Sequence, residues 1–416
     1  MFNLEEKYQE FMNEQLQPHI FGTKLIENEL NEIGIVITDE QRESFIKSLK
    51  DKKNTLTFDF TDEQVLQTGC LSEDELKPKL EKMINELPNI AKTFFDNFQD
   101  FSNNIVIELI EDFSSLISSE MNKIREDVLI SHDIINNNFV DTIYNIWGKS
   151  LTSLKELIIL QSETIEMISK KYNKNAEDLT VYVLLNIYAR SNQIAKEILI
   201  LLENGFADGA EARWRTLHEL VVTSAFIVQY KEDVAERYID YQGIEVYRAA
   251  TKYNEHFDRI GGDKISEKEF KEIENEYNNL IKKYGKEFKN SYGWASNALN
   301  LNKRLTFEDI EKSVEFDHYR PHYKSASYNI HANPYGVFSR LGLLEQENLL
   351  LSEGSYIGLS EPGQAVAISL NQIITFFFTY NPTIDSLVIC KIIEKKSKDV
   401  VNNFHKEEEF LLKSMS

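Results

Sequence analysis

A chain of 416 residues is longer than one ordinary hydrophobic core fills, so two or three domains are expected. Its 46 basic and 68 acidic side chains leave a formal charge of −22, which repels duplex nucleic acid at long range and argues against extended DNA binding. Seven prolines and 16 glycines are too few for the turns of an all-β fold, so an all-α, multi-helix bundle is expected.

The amino terminus carries Glu5 and Glu6 where a secretory leader needs bases followed by an apolar run, and no export by that route is expected. Near-repeats then run from Ile35 to Gln41 and from Phe58 to Gln64. Each reads as a short extended piece entering a capping box, Thr38 with Gln41 and Thr61 with Gln64. A small hairpin or strand pair around a helix at 39–50 is expected.

After Pro78 and Pro88 the apolar spacing becomes helical, predicting a long helix at about 90–127 and a further pair at about 133–172 and 176–204. Helices at about 208–229 and 231–259 follow, the second stopped by Gly261 and Gly262. Ser266 with Glu269 opens a charged helix at about 267–283, and Thr306 with Asp309 opens a short one. Another helix is predicted at about 321–332. Residues 333–361, with Pro334 and four glycines, form the main irregular stretch before closing helices at about 362–380 and 383–411. The domain boundary is placed near 130–150, giving an N-terminal helical region at 1–145 with a short extended element and a C-terminal bundle at 146–416.

The longest apolar runs, Val221 to Val228 and Ile373 to Phe378, fall short of the roughly 20 residues of a membrane span, so no membrane contact is expected. Cys70 and Cys390 match no C-x-x-C pattern, which points to a reducing, cytoplasmic setting without a disulfide framework. His318 and His322 have the i,i+4 spacing of metal ligands, but Pro321 between them spoils a shared face, and neither a metal nor a cofactor is expected. Phosphate-binding glycine loops, H-E-x-x-H and G-x-S-x-G are absent from the sequence.

The chemistry-bearing residues fall in two segments. In 209–229, Ala210, Trp214, Leu217, Val221, Ser224 and Val228 make one apolar stripe, while Glu211, Arg215 and Glu219 recur at i,i+4 on the other side. The simplest reading of that second row is a surface ion-pair ladder. Yet the helix becomes apolar all round after Glu219, which sets Arg215 and Glu219 at the edge of a buried region where charges need partners. In 318–333, Tyr323, Ser327 and His331 share one helical face, offering an imidazole for proton transfer beside two hydroxyls that orient it.

These two motifs together, Arg215 and Glu219 followed by Tyr323, Ser327 and His331, resemble the bacterial domain-of-unknown-function family 5677 over about residues 150–400. That resemblance implies no activity. A second resemblance, to the HEPN-type ribonucleases, rests on the R-x4-H string from Arg213 to His218, although Trp214 stands where that family usually has a polar residue. It implies a helical bundle that dimerises and cleaves RNA without metal.

The leading functional expectation is therefore a metal-independent endoribonuclease of a stress or phage-defence system. His331 or His218 would move the proton, Arg215 or Arg213 would stabilise phosphate charge, and Glu219 would hold the arginine. The alternative is a non-catalytic helical sensor or scaffold in which the same residues form a buried network that fixes helix register. The partners expected are a folded RNA or a protein, with a homodimer allowed. Arg215, Glu219 and His331 are expected to meet in space.

Overall fold

The computed structural model describes residues 17–51, 59–96, 98–171, 178–301, 303–343 and 350–415, together with Asn13 and Thr57. Fourteen α-helices and a few 3-10 turns carry the described residues, and no strand occurs among them. The chain divides into two compact units, Met1–Ile130 and Ser131–Ser416.

The first unit holds helices α1 (Pro18–Glu32), α2 (Asp39–Lys50), α3 (Asp62–Gln67) and α4 (Glu73–Asp96), and it contains the start of α5 (Phe98–Lys171). Its core gathers Ile26, Leu30, Ile35, Ile37, Phe45, Val65, Leu76 and Met83. Both expected capping boxes form, at Thr38 with Gln41 and Thr61 with Gln64. No strand pairing occurs among the described residues of the expected hairpin, and Phe58 lies outside them. The reason is visible in the carbonyls a strand ladder would have used: Gln64 Nε2 donates to the Val36 carbonyl and Gln41 Nε2 to that of Asp59, each at 2.7 Å.

The prolines do not delay the helix as expected. Helix α4 runs through both Pro78 and Pro88, although each removes a backbone donor. Leu76, Leu80, Met83 and Leu87 recur at helical spacing and pack into the core, so tertiary burial outweighs the lost hydrogen bonds.

The second unit contains α6 (Leu179–Glu203), α7 (Ala207–His256), α8 (Glu267–Tyr284), the short α9 (Ser296–Leu299) and α10 (Phe307–Ser313), α11 (Arg320–Ile330), α12 (Pro334–Phe338), α13 (Ser360–Tyr380) and α14 (Ile384–Met415). The helix pairs predicted at 208–229 and 231–259 merge into α7, but Lys231 breaks it at φ 60° and ψ −141°. Thr306 and Asp309 cap α10 reciprocally.

Helix α7 is the hub against which α6, α13, α11 and α8 pack. Its predicted apolar stripe is the core face: Ala210, Trp214, Leu217, Val221 and Ser224 are all buried. Every residue from Val221 to Ile227 is buried, as the all-round apolar sequence required. Gly205, at φ +76°, turns the chain between α6 and α7 and accepts a hydrogen bond from Ser355 N at 2.9 Å, which ties the irregular stretch after α12 to that turn.

Candidate functional site

Helix α11 lies on α7 through a chain of polar contacts. Arg215 Nη2 donates to the Tyr323 hydroxyl at 2.6 Å, and that hydroxyl donates to Glu219 Oε1, also at 2.6 Å. Arg215 and Glu219 approach directly at 3.3 Å. Tyr323 is 5% exposed, and the guanidiniums of Arg215 and Arg320 lie 4.6 Å and 5.0 Å from its ring centre. Burial first, and then the Glu219 carboxylate, push the phenol well above its ordinary range, so it stays protonated.

Beside this bridge stands a second one. His218 Nε2 lies 3.0 Å from Glu311 Oε1, and Arg320 Nη1 donates to Glu311 Oε2 at 2.6 Å. His218 is 1% exposed and Glu311 is fully buried. Trp214, Phe307, Tyr319 and Tyr323 surround the imidazole. Helices α7, α10 and α11 thus share one polar cluster inside an aromatic wall, with only Arg215 Nε and Arg320 Nε buried there without partners.

Three sequence expectations need correction. Helix α11 ends at Ile330, so His331, at φ −98° and ψ 140°, leaves the stripe of Tyr323 and Ser327. It is exposed and makes no side-chain hydrogen bond or ion pair among the described residues, so Arg215 and Glu219 meet Tyr323 rather than His331. Pro334 does not merely stop the preceding helix; it opens α12 behind the Asn333 cap. Second, the Ser327 hydroxyl donates back to the Tyr323 carbonyl at 2.7 Å, which commits its one proton to its own helix. Third, Arg213 and His218 face different neighbours: Arg213 Nε pairs with Glu197 of α6 while His218 faces Glu311. Five residues of helix turn the two side chains to different neighbours.

Arg215 and Glu219 do approach at i,i+4 spacing, but as part of the bridge through buried Tyr323 and not as a surface ladder, and the ladder fails altogether at Glu211. That carboxyl is 2% exposed, accepts from Asn329 Nδ2 at 3.1 Å through Oε2, and leaves Oε1 without a partner. Burial, with Glu361 and Asp208 nearby, raises it to about 7, against the opposing pull of Ser325 and His322. It lines a cavity of about 330 Å³ with His218, Tyr319, His322, Glu361 and Glu408, among others. His322 Nδ1 and Glu361 Oε1 are 2.6 Å apart at its mouth, whereas His318 Nδ1 faces the Glu315 carbonyl, so the i,i+4 histidines do not converge. Among the described residues no group of three His, Cys, Asp or Glu side chains is placed to hold a metal ion.

Sequence reasoning missed Glu211 as a buried acid, Glu311 as the residue joining His218 to Arg320, and Glu361. One signal was present: Glu211 follows directly on Ala210 of the buried stripe, 100° away, close enough for the packing of α11 to cover it.

A family model for a family of unknown function (DUF5677) matches residues 181–348. The DUF5677 match spans about two fifths of the chain, from the third residue of α6 onward. It takes in Arg215, Glu219, Glu311, Tyr323 and Glu211, while Glu361 and Glu408 lie beyond it. No curated protein and no solved structure matches the chain.

Proposed function

We propose that the second unit is a non-catalytic helical sensor or scaffold module that binds a protein partner, with its polar cluster setting how α10 and α11 seat on α7. The observation that carries this reading is the mutual commitment of the would-be catalytic groups. Tyr323 is held between Arg215 and Glu219, His218 is sealed against Glu311, Ser327 is bonded to its own helix, and Arg213 pairs with Glu197. A general base needs open access to the proton it takes; Tyr323 is buried between its two partners, and His218, although it lines the cavity at Glu211, is 1% exposed with Nε2 already against Glu311. The cavity at Glu211 supports the same choice, because its lining includes three glutamates and no lysine or arginine, an unfavourable field for a phosphodiester.

RNA cleavage is the competing reading, favoured by the partial exposure of Arg215 and Glu219, whose side chains are 22% and 37% exposed. One experiment separates the two. Tyr323→Phe removes the hydroxyl that Arg215 and Glu219 share, at a cost of about 0.5–1.5 kcal/mol for each hydrogen bond lost. On the scaffold reading its melting temperature and its cellular effect fall together, His331→Ala changes neither, and the purified chain leaves folded RNA intact in EDTA. RNA cleavage that is lost in His331→Ala at an unchanged melting temperature would overturn the proposal.

A further inference from the structure

The least explained surface of the molecule is on α5. Ile107, Ile110, Met121, Ile124 and Val128 are each between 52% and 62% exposed. Scattered exposed aliphatics are ordinary, but these are not scattered. With Ser114 and Ile117 they fall at 107, 110, 114, 117, 121, 124 and 128, an alternation of three and four residues over three heptads. In the sequence the same register continues through Ser131 to Ile135. An uninterrupted α-helix with an a/d seam of this length is built to pack against another helix by knobs-into-holes contacts.

The flanking charges say which helix. Placing Ile107, Ser114, Met121 and Val128 at a and Ile110, Ile117 and Ile124 at d puts Glu120 at g and Arg125 at the following e. In a parallel, in-register coiled coil, g of one strand faces the following e of its neighbour, so Glu120 of each copy meets Arg125 of the next. Within one chain Glu120 contacts only Lys123 among the described residues, and Arg125 makes no ion pair there. The seam therefore complements itself.

We propose that residues 107–128 of α5 form a parallel, in-register coiled coil with further copies of this chain. Isoleucine at all three d positions favours three strands over two. Leu116 and Leu129, exposed at c and b, stand outside the seam. The proposal is independent of the sensor or scaffold reading, since none of its residues belongs to the Arg215 or His218 clusters.

Sedimentation velocity of the full chain across the micromolar range tests it. The expected result is an oligomer, a trimer at the upper end, that Ile117→Lys with Ile124→Lys reduces to monomer while helicity by circular dichroism is kept. Leu129→Lys, on the same helix but off the seam, is expected to leave the oligomer intact. Glu120→Arg and Arg125→Glu should each weaken association by about tenfold or less, as suits an exposed ion pair, and together restore it. Ser114→Cys in a Cys70→Ser, Cys390→Ser background should crosslink copies on oxidation, because matching a positions adjoin only in the parallel register. A chain monomeric at every concentration, or an oligomer indifferent to the Ile117 and Ile124 pair, overturns the proposal. An oligomer that the charge exchange does not restore and Ser114→Cys does not crosslink overturns the parallel register.

Discussion

Glu211 shows how one side chain links burial to pH. Its carboxyl is held near 7 in the folded chain against an ordinary value of 4.5. Between those values the folded state holds a proton that the unfolded state has released, so stability falls as pH rises through the window and levels off above it. The expected outcome is a melting temperature that declines between about pH 5 and pH 7.5, with a shallower decline in Glu211→Gln, which carries no titrating group at that place. Parallel pH profiles for the two proteins would refute the assignment. From the sequence alone, Arg215 and Glu219 were recognisable as edge charges needing partners, and Tyr323 as one of three functional groups on a second helix, of which His331 was the one expected to meet them. Glu311 and Arg320 were not, because the contacts His218 and Arg320 make with Glu311 are set by how α10 and α11 pack, which local spacing does not encode. His331 was misplaced for a related reason: a two-residue error in a helix end moves a side chain off its face.

Among the elements, the packing of α13 on α14 has little tolerance. A Cβ on Gly363 would stand 2.4 Å from Cζ of Phe404, whose fully buried ring lies 5.9 Å from that of Trp147. Alanine is the better helix former by about 1 kcal/mol, yet here overpacking of about 1–3 kcal/mol opposes it. Gly363→Ala is therefore expected to lower the urea midpoint at an unchanged m-value, and an unchanged or raised midpoint would show that Phe404 gives way freely. Helix periods were readable for α6, α8, α13 and α14 because their apolar and polar positions alternate at helical spacing over many turns, and Asp178 and Ser266 cap α6 and α8 locally. The prolines of α4 misled because a strongly amphipathic face was weighed against a local breaker, and the core of the first unit decided the outcome.

At the scale of the whole molecule, the two units have separate hydrophobic cores of unequal size. That of the first gathers nine buried apolar side chains around Leu30 and Ile35, while that of the second joins α5, α6, α7, α13 and α14. Stability grows with the apolar surface a unit withdraws from water, so calorimetry is expected to resolve two transitions, the first unit melting at the lower temperature. Gly363→Ala should displace only the upper one; a single transition that moves as a whole would show the units to be thermodynamically one. The first unit also carries a feature with a consequence for cooperativity. Gln41 and Gln64, the closing residues of two capping boxes 23 positions apart, exchange amide hydrogen bonds at 3.2 Å and 3.0 Å. The near-repeat is thus a reciprocal clasp, in which each copy completes the other, so α2 and α3 form or fray as a pair and neither start is inherited without its twin.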